Sequence, residues 1–316
     1  QMQKRWRPPS GNTEMAKLPS PDRWPDGLTI DDLGLLPKLD WASEFEHRWQ
    51  PGESAGRSRL ASFVEETVAG YEQGRDRPGE SGTSRLSPYL HFGEISPGQV
   101  VRALDEAGQL PGGKGRWSFL REIAWREFSA HLLFHYRNLP EQPLKEQFAS
   151  FPWRDPSDYA EDLRAWQRGQ TGIPMVDAGM RELWRTGWMH NRVRMIVASF
   201  LTKNLLIPWQ EGARWFWDTL VDADLANNTA GWQWTAGCGA DAAPYFRVFN
   251  PVLQGQKFDP KGAYVRRWCP ELAERPDREL HEPVGHNDSG ASVAIVDLKA
   301  SRQRALAAYD EIKRSS

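Results

Sequence analysis

From residue 58 onward apolar side chains recur at intervals of three and four, and no stretch alternates apolar with polar, so the pattern predicts helices and no sheet. The first helix covers 58–73, with Leu60, Phe63, Val64 and Val68 on one side, and it breaks into the Gly/Ser/Pro loop GRDRPGESGTS. Ser96-Pro97 opens the next helix with a serine cap and a proline in the first turn. Further helices are predicted over 116–136, 157–167, 174–185 (ended by Gly187), 190–206 and 209–220. After Asp222 the periodicity fades into a Gly/Ala/Asn-rich segment predicted to be irregular, and 292–313 reads as one last helix. No period of 20–50 residues repeats. The expected fold is mostly α: a compact multi-helix domain over 56–316, preceded by a Pro-rich, weakly periodic stretch, 1–55, that reads as a linker.

Composition narrows the class. With 26% charged and 39% hydrophobic residues among 316, the chain is expected to be globular and soluble. No apolar run approaches the roughly 20 residues of a membrane span, and no basic-then-apolar leader is visible, which predicts a cytoplasmic protein. Two cysteines, Cys238 and Cys269, exclude a disulfide framework and a cysteine-rich metal site. The formal charge of −2 means that a nucleic-acid partner must be held by a local basic patch. The outlier is tryptophan, 16 residues of it, which points to ring stacking or redox work beyond packing.

Several clusters carry candidate chemistry. Glu122, Trp125 and Arg126 share one helix face, either as a surface ion pair beside a packed ring or as a stacking platform for a base taken out of a duplex. Asn191 and Met195, flanked by Arg192 and Arg194, open a helix in a setting that suits phosphate; a solvated basic turn has the same pattern. The loop GESGTSRLS brings hydroxyls and glycines together, as a pyrophosphate site or as helix-capping turns, and matches no standard phosphate loop. Asp222 and Asp224 resemble the start of a calcium loop, but Ala226 occupies the next ligand position, so no metal is expected. His131 and His135 lack a third ligand and read as structural. Trp232 and Trp234, near Asn227 and Asn228, suit the wall of an aromatic ligand site.

Taken in order, YEQ (71–73), GTSRLS (82–87), WREF (125–128), TGIPMVDAGMREL (171–183), TGWMHNRVRM (186–195), DADLANN (222–228), GWQW (231–234) and DAAPYFRVFNP (241–251) resemble the DNA photolyase/cryptochrome family. The resemblance is greatest to bacterial class I enzymes acting on cyclobutane pyrimidine dimers, and covers the helical FAD-binding domain. The family's N-terminal α/β antenna domain has no counterpart in this chain, so residues 1–55 are expected to be the interdomain linker and no antenna chromophore is expected here.

The resemblance implies a role for each motif residue. FAD would be held by Tyr71, by Thr83, Ser84, Arg85, Leu86 and Ser87 at its pyrophosphate, by Phe119, and by Asp222, Ala223 and Asp224 with Arg194 paired to Asp222. Asn228 would face flavin N5. Trp125 and Trp234 would stack on a flipped dimer, Glu122 would hydrogen-bond a thymine carbonyl, and Asn191 and Met195 would line the cavity. Arg75, Arg126, Arg192 and Gln254 would contact DNA, within a local basic groove. Trp232, Trp209 and Trp153 would relay electrons between flavin and surface.

The implied reaction is light-driven dimer splitting by electron transfer from excited, reduced FADH⁻, in a protein expected to be monomeric. Phe119 departs from the tryptophan that several bacterial members carry there. Asn191 and Met195 stand where the (6-4) branch uses histidines. The alternative implied by the same resemblance is a cryptochrome-type photoreceptor that uses FAD and the tryptophans for signalling.

Overall fold

The computed structural model describes residues 19–23, 26–29, 31–35, 40–107, 113–241, 246–285 and 293–314. Among them there is no strand, and helices account for nearly all regular structure. In chain order the α-helices are α1 (Ser43–Arg48), α2 (Glu53–Ser62), α3 (Tyr71–Gly74), α4 (Ser87–His91), α5 (Pro97–Glu106), α6 (Lys114–His135), α7 (Pro156–Arg168), α8 (Pro174–Thr186), α9 (Asn191–Ser199), α10 (Trp209–Thr219), α11 (Leu225–Ala236), α12 (Pro251–Phe258), α13 (Ala263–Trp268) and α14 (Leu298–Arg314).

Local chemistry explains most of the boundaries. Ser96 caps α5 with a full capping box, its hydroxyl accepting from Gln99 N–H while the Gln99 side chain accepts from Ser96 N–H. Gly187 ends α8 in the left-handed conformation at φ 65°, which a side chain there would resist. Two expected helices are interrupted. The one over 58–73 becomes a π-turn at Phe63–Thr67, and the one over 190–206 becomes another at Phe200–Asn204, where Asn204 bonds Ser301 of α14. The last helix begins at Leu298; Ser292, where the pattern placed its start, lies outside the described residues.

The largest departure follows Asp222. Instead of an irregular segment there is α11, capped by Asp224, whose carboxylate accepts from Asn227 N–H at 2.8 Å. It packs against α6, α9 and α10, so no solvent-facing polar stripe marks its period; a helix buried on several sides shows none in sequence. Helices α12 and α13 also lie in this stretch, while Ala242–Tyr245 of the last quoted motif lie outside the described residues.

Two cores form. The larger is centred on α8, ten of whose 13 residues are buried, with α7, α9, α10, α11, α13 and α14 around it. The smaller joins α2, α4, α5 and the first half of α6 through Phe63, Tyr71, Leu90 and Phe119. The motif aspartate Asp177 serves the larger core: it accepts from Thr171 N–H, Thr171 Oγ1–H and Gly172 N–H, tying the preceding turn to α8. Upstream, α1 also packs on α8, and the Trp49 indole donates to the Thr186 carbonyl at 2.7 Å.

Candidate flavin and lesion site

At the seam between the two cores lies a cavity with two adjoining lobes of about 520 and 270 Å³. They share Glu122, Arg126, Arg194, Asp222, Asp224 and Asn227 among their walls. These volumes suit a sizeable organic ligand.

The smaller lobe is walled by Tyr71, Thr83, Ser84, Arg85, Ser87 and Phe119. Leu86 is 1% exposed and belongs to the smaller core instead. Tyr71 and Phe119 meet edge to face at 5.2 Å, and burial pushes the Tyr71 phenol above its ordinary range, so it stays a neutral donor. Arg85 takes φ 53° and lays its guanidinium 4.6 Å from the centre of the Trp188 ring. Burial lowers its pKa, and the nearby Glu182 carboxylate offsets this only in part.

The floor is built from α9 and α11. Arg194 donates from Nη2 to both oxygens of Asp222, at 3.1 and 2.8 Å, and Asp222 is almost wholly buried. Losing one partner would strand a buried charge, at a cost of about 3–5 kcal/mol. Asn228 donates from Nδ2 to the Ala213 carbonyl of α10 at 2.9 Å, so its side-chain oxygen is held available as an acceptor. Ala223 and Trp232 line the larger lobe, whereas Trp209 is buried outside it and Trp153 is half-buried against Phe151 at 4.4 Å.

The larger lobe is also lined by Trp125 on α6, Trp234 on α11, Glu122, Asn191 and Met195. Trp125 is 46% exposed. Arg192 and Gln254 wall neither lobe.

The charges are arranged differently from either expectation. Glu122 and Arg126 do not pair with each other: Glu122 accepts from Arg75 at 2.5 Å, and Arg126 reaches Asp224 at 3.4 Å and the Leu90 carbonyl at 2.9 Å. Nor is the opening of α9 a solvated basic turn, because Arg192 pairs with Asp76 at 2.7 Å. Each arginine expected to form a local basic groove, Arg75, Arg126 and Arg192, thus holds a carboxylate. For Arg75, burial opposes the charge, but the hydrogen bond to Glu122 and the neighbouring Tyr71, Glu122 and Asp76 together outweigh it, so its pKa is raised.

The sequence reading overlooked three participants: Asp76, Trp188 and the Ala213 carbonyl. Trp188 stood inside a quoted motif. Asp76 and Ala213 act by pairing across the fold, which no local spacing reveals. Among the described residues no group of three His, Cys, Asp or Glu side chains is placed to hold a metal ion, and no helix is long and apolar enough to cross a membrane.

Residues 119–311 match the family model for the FAD binding domain of DNA photolyase. The chain belongs to the DNA photolyase family. It is 47% identical over 311 residues to a deoxyribodipyrimidine photo-lyase of Agrobacterium fabrum, covering 95% of this chain and 64% of that protein. It is also 39% identical over 272 residues to Cryptochrome-1 of Arabidopsis thaliana, covering 84% of this chain and 40% of that one. Among solved structures, a bacterial class III photolyase from Agrobacterium tumefaciens superposes with a TM-score of 0.86 at 47% identity, over 94% of this chain and 64% of that one. The chain thus spans somewhat less than two thirds of these photolyases.

Proposed function

We propose that this chain is the catalytic domain of a light-driven lyase that repairs cyclobutane pyrimidine dimers in DNA, with reduced FAD in the smaller lobe and floor and the dimer in the larger lobe. The observation that carries the reading is the continuity of the two lobes: Trp125, Trp234 and Glu122 open into the same cavity as the Arg194–Asp222 pair and Asn228. In this reading residues 56–316 form that domain and 1–55 connect it to a further one.

The wall residues fit the cofactor. The hydroxyls of Thr83, Ser84 and Ser87 with neutral Tyr71 suit a pyrophosphate. Asn228, its amide anchored on Ala213, presents an oxygen to a ring N–H. Reduced FAD supplies, when bound, the light-excited electron donor that splitting the dimer ring requires.

The chain's own residues bind and orient. Trp125 and Trp234 offer π faces to an extruded dimer, which costs least to extrude because damaged bases stack poorly. Glu122 lies where, as the neutral carboxylic acid, it would donate a hydrogen bond to a thymine carbonyl once Arg75 moves away. Hydrogen bonds aimed at that oxygen stabilise the negative charge that develops on it. In this reading Trp232 on the cavity wall, Trp209 buried in the core and the half-buried Trp153 relay electrons from the surface to the cofactor.

The test is illumination of the pre-reduced chain with dimer-containing DNA, followed by assay of restored thymines. Restoration supports repair. Flavin binding and photoreduction without restoration would leave the photoreceptor reading, which the similarity to Cryptochrome-1 favours.

A further inference from the structure

Four arginines in or beside the cavity each hold a carboxylate, Arg75 with Glu122, Arg126 with Asp224, Arg192 with Asp76 and Arg194 with Asp222, while Arg85 stacks on Trp188. The pairs differ in accessibility. The Asp222 side chain is 2% exposed, whereas those of Glu122 and Asp76 are 32% and 34% exposed, within reach of solvent and of a polyanion.

We infer that Glu122 and Asp76 act as built-in phosphate mimics that keep Arg75 and Arg192 off undamaged DNA, and that Glu122 releases Arg75 when a lesion enters the cavity. The inference rests on the DNA reading above and adds a specificity device to it. A carboxylate accepts from a guanidinium as a DNA phosphate does, so each pair already satisfies the contact that a strand would make.

The fold holds both carboxylates in place. Arg75 and Asp76 adjoin on the turn after α3, which folds back on itself through Arg77 N–H donating to the Gly74 carbonyl at 3.0 Å. From there Arg75 reaches α6, with its guanidinium 5.4 Å from the Tyr71 ring centre. Asp76 reaches α9, where Arg192 lies 4.4 Å from the Phe258 ring centre. Both cations are therefore fixed rather than freely mobile.

An undamaged strand must exchange one anion for another at each arginine, and it leaves a carboxylate beside a phosphate. That exchange releases little and adds like-charge repulsion. A flipped dimer changes the balance at Glu122, because its carbonyl and imide groups give the carboxyl a new partner while stacking on Trp125 and Trp234 supplies the driving force. Arg75, once released, can then take the phosphate. The near-neutral chain, at −2, accords with selectivity drawn from this exchange rather than from global attraction.

Asp76→Asn is the sharpest test, since Asp76 walls neither lobe. Binding of the FAD-loaded chain to an undamaged 20-base-pair duplex is measured by fluorescence anisotropy at several salt concentrations, beside the same duplex carrying one dimer. The variant should bind undamaged duplex about fivefold more tightly at moderate salt. Its slope of log K against log salt should steepen by about 0.9, one further phosphate contact. The gain on dimer-containing duplex should be smaller, and Arg192→Gln added to Asp76→Asn should abolish the gain. Glu122→Gln should likewise raise affinity for undamaged duplex through Arg75 while lowering it for the dimer.

Unchanged affinity and slope on undamaged duplex in both single variants would overturn the mimicry while leaving the repair reading intact. Failure of the unsubstituted chain to prefer the dimer duplex would overturn the repair reading, and the mimicry with it.

Discussion

The indole of Trp232 rests directly on the backbone of Gly212: a Cβ at that position would overlap the Cη2, Cζ3 and Cζ2 atoms of the ring. Helices α10 and α11 meet there, and Trp232 is 2% exposed with its Nε1 lacking a hydrogen-bond partner. Packing against Gly212 therefore fixes the ring in place of a polar anchor. Gly212→Ala should cost about 1–3 kcal/mol of stability by overpacking and should shift the ring. Denaturant unfolding reads the first effect and the rate of flavin photoreduction the second; an unchanged photoreduction rate would detach Trp232 from the relay.

Trp153 is the outermost member of the proposed relay. Trp153→Phe keeps the contact with Phe151 but removes the readily oxidised indole, so photoreduction of oxidised FAD should fail. Repair by chemically pre-reduced protein should be unaffected. Both activities are read on one preparation by absorbance and by dimer loss, and normal photoreduction would refute the assignment.

Trp125, exposed and lining the cavity, has little to contribute to the core. Trp125→Ala should weaken binding to dimer-containing DNA by about 1–3 kcal/mol and leave the unfolding midpoint nearly unchanged. Full affinity in this variant would reduce the ring to a surface residue.

His190 links stability to pH. Its ring is buried, which lowers its pKa to about 3 from the ordinary 6.5, and Nδ1 accepts from Arg192 N–H at the start of α9. The folded protein holds the ring neutral where the unfolded chain would protonate it. This stability is present above pH 6.5 and is lost as pH falls toward 3. Asp177 opposes it: burial raises its pKa from 3.8 to about 6, so its contribution is present at low pH and is lost as pH rises through that window. His190→Asn preserves an acceptor for the cap and removes only the histidine contribution. Between pH 7 and 4 the variant should lose about 3 kcal/mol less than the unsubstituted chain, measured by denaturant unfolding. Parallel pH profiles would show that His190 takes up a proton in the fold.

Helices α5 and α10 were readable in the sequence because one face of each meets solvent, and α8, though ten of its 13 residues are buried, was marked by Pro174 at its start and Gly187 at its end. Helix α11 was not readable, because packing on several sides erased its polar stripe. In the site, Glu122, Trp125 and Trp234 could be singled out by residue type and spacing. Their partners could not. Arg75 finds Glu122 across 47 positions and Arg192 finds Asp76 across 116, pairings set by how the seam between the two cores closes. Counting arginines could not show the carboxylates that the fold delivers to Arg75, Arg126 and Arg192.

The proposed function requires that light, acting through this cavity, reverse a dimer. The most direct measurement uses an end-labelled oligonucleotide with one cyclobutane thymine dimer, incubated with pre-reduced chain in darkness or under blue light and then cut by a dimer-specific endonuclease. Strands resistant to cutting should appear only in the illuminated sample, and far fewer of them per absorbed photon with Glu122→Ala. Equal cutting in light and darkness, with the flavin bound and reduced, would contradict the proposed function.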